Sequence, residues 1–236
     1  MRAAGIILAA VASVASLRAV TFESSEAQAT LVELFTSEGC SSCPPAEERL
    51  ARFRDDPALW KAVVPVAFHV NYWDDLGWSD RFATPEFTRR QRDYGAHWRA
   101  ETIYTPAFVW NGCEGRVAPP TGKPGRLRAE VEAAGEVVVT FQPTKSPGGM
   151  LVAEVAPLAG GIVSDVQSGE NAGRRLAHEF VALALLSAPL EPHDGEFTAR
   201  FSLPRKTVAP ATALAVWVHP ANEPTPLQAT GGWLKK

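Results

Sequence analysis

The sequence predicts an α/β domain followed by a smaller, sandwich-like β-rich domain, and three observations carry that prediction. Residues 31–36, Leu-Val-Glu-Leu-Phe-Thr, alternate apolar and polar side chains, the period of a half-buried strand. Residues 63–70, Val-Val-Pro-Val-Ala-Phe-His-Val, are almost all apolar, which suits a strand covered on both faces of a parallel sheet. Residues 46–53 between them have helical composition, so a crossover with parallel pairing is expected. After Gly135 the pattern changes: residues 137–141, 151–155, 197–203 and 213–218 are strand-like and are separated by Gly, Pro and polar turns. That spacing predicts an antiparallel sandwich.

The remaining elements follow in order. Residues 85–98 are charged and helical in composition. Ala107–Trp110 reads as a short strand closed by Asn111-Gly112, a hairpin turn. Residues 124–134, rich in Ala, Glu and Arg, predict a last helix before the β-rich part. Leu176–Leu186 fits helix or strand, and the strands on either side favour strand. The expected boundaries are a leader over 1–29, the α/β domain over 30–135 and the β-rich domain over 136–236.

The first residues read as an export signal. Arg2 precedes an uncharged, mostly apolar run from Ala3 to Leu17. Those fifteen residues are fewer than the roughly 20 that a spanning helix needs. Ala27-Gln28-Ala29 offers a small-x-small cleavage site, and an earlier cut near Ala15–Ala19 stays open. The expectation is a periplasmic or secreted protein with no membrane span after leader removal. Of the 236 residues, 46% are hydrophobic and 21% charged, which excludes a disordered chain. A net charge of −3 argues against nucleic acid as a partner.

Cys40-Ser41-Ser42-Cys43 lies where the first strand ends and a helix opens. A thiol at a helix N-terminus faces unpaired backbone N–H groups and the positive end of the dipole, both of which favour thiolate. Cys40, ahead of the helix, is the expected attacking sulfur, and Cys43, one turn in, the resolving one. Pro44-Pro45 suit the first helical turn, where N–H groups go unused. Glu38 opposes thiolate formation if it lies close. Other chemistries compete. Structural zinc needs more ligands than Cys113, His69 and His97 supply. A disulfide across a two-residue gap closes too short a loop to stabilise much. Copper capture would use Cys40, Cys43 and His69.

A C-x-x-C pair opening a helix within a strand–helix–strand unit is the thioredoxin-like arrangement. In that fold the place before the third strand, here Thr105-Pro106, holds a proline with a cis peptide bond facing the cysteines. The run from Val32 to Pro45, containing Glu38, Cys40 and Cys43, is similar to the signature of a secreted thioredoxin-like family called domain of unknown function 1223. So are Ala67-Phe-His-Val-Asn-Tyr-Trp-Asp-Asp-Leu-Gly-Trp, Tyr104-Thr-Pro, and Gly169-Glu-Asn-Ala-Gly-Arg with His178. The resemblance spans nearly the whole chain after the leader. It implies a thioredoxin-like fold with a β-rich C-terminal part, and it implies no reaction. Cys113 has no place in the family pattern and is expected to be a free thiol or an intermolecular partner, several extended residues from the pair.

Parallel strands put their carboxyl ends on one edge, so His69, Asn71, Trp73 and Thr105 are expected to wall the cysteines. Some atom of the His69–Asp74 segment is expected within roughly 8 Å of a Cys40 or Cys43 sulfur, and His69 is a donor to the Cys40 thiolate if it lies within hydrogen-bond reach. The Gly169–Gly173 stretch reads as a turn, with Arg174, Arg175 and His178 in contact between domains. The function expected is thiol–disulfide exchange on protein thiols or disulfides by Cys40 and Cys43, with no resident cofactor or metal. The alternatives are copper delivery, and a binding module whose disulfide is only structural.

Overall fold

The computed structural model describes residues 19–115, 120–132 and 135–234. Among them are sixteen strands and two α-helices. A five-stranded antiparallel sheet runs β1 (Val20–Glu23), β6 (Gly125–Val131), β7 (Glu136–Pro143), β14 (Glu196–Ser202) and β13 (Glu191–His193). A nine-stranded sheet runs β16 (Gln228–Trp233), β15 (Ala213–Pro220), β8 (Leu151–Ala159), β11 (Val181–Ala182), β3 (Val63–His69), β2 (Thr30–Thr36), β4 (Ala107–Trp110) and β5 (Cys113–Glu114). The ninth strand, β12 (Leu186–Pro189), also pairs with β8. A separate hairpin joins β9 (Ile162–Asp165) to β10 (Arg175–His178).

This architecture corrects the expectation of a thioredoxin-like α/β domain beside a separate β-sandwich. The described residues are dominated by strand and include two α-helices, α1 (Pro44–Ala51) and α2 (Pro85–Trp98). β2 and β3 pair in parallel with Thr36 beside His69, as the apolar pattern predicts. The far side of β3 is taken by β11, and β8 follows, both from the C-terminal part. The reason is physical. Every residue of β3 is buried, so both its faces and both its edges need partners, and segments far along the chain supply them. The sandwich also reaches back in sequence. Its five-stranded sheet takes β1 and β6 from before residue 135, and the β6–β7 pairing spans the expected boundary.

The helix expected over 124–134 is the second correction. Residues 125–131 form β6, with Leu127 and Ala129 buried and Arg126 and Arg128 exposed. The period-two pattern of Leu-Arg-Ala-Glu-Val outweighs its helical composition once β1 and β7 flank it. Residues 133–134 lie outside the described residues.

Two cores result. Phe22, Leu127, Val139, Phe141, Val155 and Val216 fill the space between the sheets. Phe35, Phe68, Phe87, Tyr94 and Trp217 pack on the opposite side of the nine-stranded sheet, beneath α2. Arg90 of α2 stitches that side together. Its Nε donates to Glu33 Oε1 and its Nη1 to Glu154 Oε2, both at 2.5 Å, while its guanidinium lies over Phe68 and Trp217. Gly232 lets β1 close against β16, since a Cβ there would stand 2.2 Å from the Phe22 ring.

The leader's apolar run lies outside the described residues. β1, within the stretch assigned to the leader, is an integral strand. Beyond it, Gln28 N donates to Gly122 O and Gln28 Nε2 to Pro226 O.

Candidate functional site

β2 ends at Thr36, and residues 37–43 carry the chain into α1. Cys40 and Cys43 are joined as a disulfide with Cα atoms 5.4 Å apart, and both residues are fully buried. Cys43 is the N-cap of α1 rather than a residue one turn inside it, and Pro44 and Pro45 open the helix as expected. Ser41 and Ser42 between the cysteines are exposed, and the Ser42 hydroxyl lies 3.4 Å from Cys40 Sγ.

The Thr105–Pro106 peptide bond is cis. Thr105 Oγ1 accepts a hydrogen bond from Trp73 Nε1 at 2.8 Å. Trp73 packs on Gly39, where an added Cβ would meet Trp73 Cβ at 3.1 Å. Trp73 and Thr105 therefore stand together beside the residue that precedes Cys40. Asn71 does not join them: its backbone N–H and side chain both engage Thr88 of α2. His69 engages a carboxylate rather than a sulfur. Its Nδ1 is 2.6 Å from Asp80 Oδ2, and its Nε2 has no hydrogen-bond partner, so neither nitrogen bonds a cysteine sulfur. Cys113 is exposed and unpaired in β5.

A cluster of buried ionisable side chains lies around this junction, and the sequence reading missed it. Glu38, Glu47, His69, Asp80 and His178 are all buried. They come from the 37–43 turn, α1, β3, the segment before α2 and β10. Thr36 Oγ1 donates to Glu47 Oε1 at 2.7 Å. His178 bonds the other Glu47 oxygen through Nδ1, and its Nε2 lies 3.2 Å from Glu38 Oε1 without hydrogen-bond alignment. Trp78 Nε1 donates to Glu38 Oε2 at 2.7 Å. Asp80 accepts from the Glu38 and Phe82 backbone N–H groups at 2.8 and 2.9 Å.

The electrostatics follow from these partners. Burial works against a charged His178, yet Glu38 and Glu47 outweigh it and push its pKa up to about 10. Burial opposes charge on His69 too, and Asp80 raises its pKa above the ordinary value. Asp80 and Glu38 are held below the usual carboxylate range: burial raises them, and their histidine and N–H partners prevail.

The β9–β10 hairpin brings His178 here. Asn171, in its turn, is fully buried and donates from Nδ2 to the carbonyls of Glu38 and Cys40, both at 2.9 Å. Arg174 holds the Asn171 amide oxygen at 2.7 Å, and Glu170 accepts from Ser41 N–H at 3.1 Å. The stretch read as a contact between domains is thus a cap over the cysteine turn. The signals that could have revealed it are Glu38, in the same motif as the cysteines, and Asn171 and His178, in another stretch of the same family resemblance. A cavity of about 510 Å³ opens elsewhere, lined by Arg89, Arg90, Glu154 and His219.

Fold and site together define a β-dominated protein with a disulfide at a strand–helix junction, capped by a hairpin and surrounded by histidines and carboxylates. The chain belongs to the family described as protein of unknown function DUF1223, whose pattern matches residues 31–219. Among solved structures it is similar to protein AGR_C_4864 from Agrobacterium tumefaciens, with a TM-score of 0.55 and 23% identity over 89% of this chain and 95% of that one. It is also similar to HBP35 of Porphyromonas gingivalis, with a TM-score of 0.65 and 18% identity over 90% of this chain and 77% of that one. At these identities the likeness concerns the fold alone. No curated protein matches the sequence.

Proposed function

We propose that the protein carries out thiol–disulfide exchange on protein thiols in an exported compartment, with Cys40 and Cys43 as the reacting pair. The observation that carries this reading is the Cys40–Cys43 bond itself, at a separation of three residues. A loop that short contributes little to stability, so chemistry is the better reason for the bond. Its position at the start of α1 supports the reading, because the helix end favours the thiolate that leaves. The leader pattern supports an oxidising compartment, where such a pair rests as the disulfide.

In the forward half-reaction a substrate thiolate attacks Cys40 Sγ. The Cys40–Cys43 bond breaks, a mixed disulfide forms on Cys40, and Cys43 leaves as a thiolate and is protonated. A second substrate thiolate then attacks the substrate sulfur of the mixed disulfide and releases Cys40 as a thiolate. Two substrate thiols become one disulfide, and the cysteine pair takes up the two electrons. Trp73, beside Thr105, offers an apolar surface to the incoming chain.

The test is oxidative refolding of a reduced substrate and reduction of insulin by the protein without its leader. Cys40→Ser is expected to abolish both activities, and Cys43→Ser to accumulate mixed disulfides. Wild-type rates no higher than those of the double variant would refute the proposal.

A further inference from the structure

Glu47, His69 and His178 each offer one ligand atom, and these atoms lie within 4.8 Å of one another. Two imidazoles and one carboxylate form a donor set suited to zinc-type ions, which take three protein ligands and one further position. Ligands on a common zinc ion stand about 3.3 Å apart, so modest side-chain movement, with the His178–Glu47 hydrogen bond exchanged for the ion, completes the set. We propose that these three residues bind a divalent transition-metal ion of the zinc type, at a site that uses neither cysteine sulfur as a ligand.

Three features of the cluster point the same way. First, His69 is fully buried, its Nδ1 is engaged by Asp80, and Nε2 is left without a partner. A carboxylate on one imidazole nitrogen fixes the ring and leaves the other nitrogen for a metal. Asp80 is itself anchored by the N–H groups of Glu38 and Phe82, so the ring cannot swing freely. Second, an orphaned buried nitrogen is costly, and a bound ion removes that cost. Third, three buried carboxylates, Glu38, Glu47 and Asp80, surround only two imidazoles. With a divalent cation in place of the two imidazolium protons the pocket keeps the same charge, so the carboxylates accept the ion as they accept the protons. With the two sulfurs joined, soft thiolates take no part, which favours zinc over copper(I).

The three ligands come from α1, β3 and the β9–β10 hairpin. An ion there would tie the hairpin, and with it Asn171, down over the Cys40 turn. Metal is therefore expected to slow reduction of the disulfide as well as to bind.

The experiment titrates metal-free, disulfide-intact protein with Co²⁺ and follows visible absorption. One equivalent should give the bands of a low-coordinate ion without thiolate charge transfer, and Zn²⁺ should displace them. The Cys40→Ala, Cys43→Ala double variant should bind equally, which separates this site from the proposed exchange reaction. His69→Gln should bind at least tenfold more weakly. Asp80→Asn, with its fold checked by circular dichroism, should lose about 10–100-fold in affinity. Absence of stoichiometric binding by the wild type would overturn the proposal. So would binding that disappears with the cysteines or persists unchanged in His69→Gln.

Discussion

Asn171 and Cys40, separated by 131 residues, are joined by one hydrogen bond of 2.9 Å from the amide of the first to the carbonyl of the second. The same nitrogen also holds Glu38 O, so one side chain fixes the entrance and the middle of the cysteine turn. Both cysteines are fully buried, so the proposed exchange is expected to need this cap to lift. Asn171→Ala is expected to cost about 1–3 kcal/mol by leaving the two carbonyls unpartnered. It should also speed reduction of the disulfide by dithiothreitol. A reduction rate equal to that of the wild type would show that the cap does not gate the sulfurs.

Arg90 is buried between Glu33 and Glu154, and Tyr94 donates to the second Glu33 oxygen at 2.5 Å. Arg90→Met leaves two carboxylates without their cation and is expected to destabilise the fold by about 3–5 kcal/mol. Urea unfolding followed by tryptophan fluorescence measures this. A loss below about 1 kcal/mol would mean the carboxylates find water or protons instead.

His219 supplies a pH dependence. It stands on β15 with its Nε2 3.6 Å from Glu154 Oε1 on β8, and Arg90 of α2 faces the same carboxylate. Burial and Arg90 oppose its charge, but Glu154 raises its pKa above the ordinary 6.5. A raised folded-state pKa means that its contribution is complete below about 6.5 and is lost as pH rises through the folded value. The difference in melting temperature between wild type and His219→Gln should therefore be larger at pH 6 than at pH 9. Equal differences at both values would dismiss the pair as a source of pH sensitivity.

The packed β1 strand makes a prediction about the leader. Phe22 is 8% exposed and lies against Gly232. A chain beginning at Thr30 loses that ring and the whole strand, and should be less stable than one beginning at Val20 by at least the roughly 3–5 kcal/mol of a buried Phe deletion. If the chain is exported as proposed, mass analysis of the mature product is expected to place cleavage before Val20, in the Ala15–Ala19 region. An N-terminus at Thr30 on a stable product would contradict this.

Local signals were legible in the sequence. The β2–β3 pair, α1 with its prolines, α2 and the Asn111-Gly112 hairpin all rest on periodicity, capping or turn chemistry within a few residues. The placement of the two cysteines at a strand–helix junction is equally local, because strand, turn and helix follow one another directly. Residues 125–131 marked the limit. Their composition is helical, and only pairing with β1 and β7 decides for strand.

Tertiary structure alone decided the rest. The two-sided burial of β3 draws β11 and β8 into its sheet, so what reads as two domains shares one sheet. Glu47 and His178 are 131 residues apart, and no period or spacing relates them. They meet because the β9–β10 hairpin folds back over α1, and a charge too costly to bury alone becomes tolerable when its partner is buried with it. The sequence by itself determined most of the local elements and the place of the cysteine pair at a strand–helix junction. Long-range pairing of strands, and of buried charges, determined the sheet and the cluster around the disulfide.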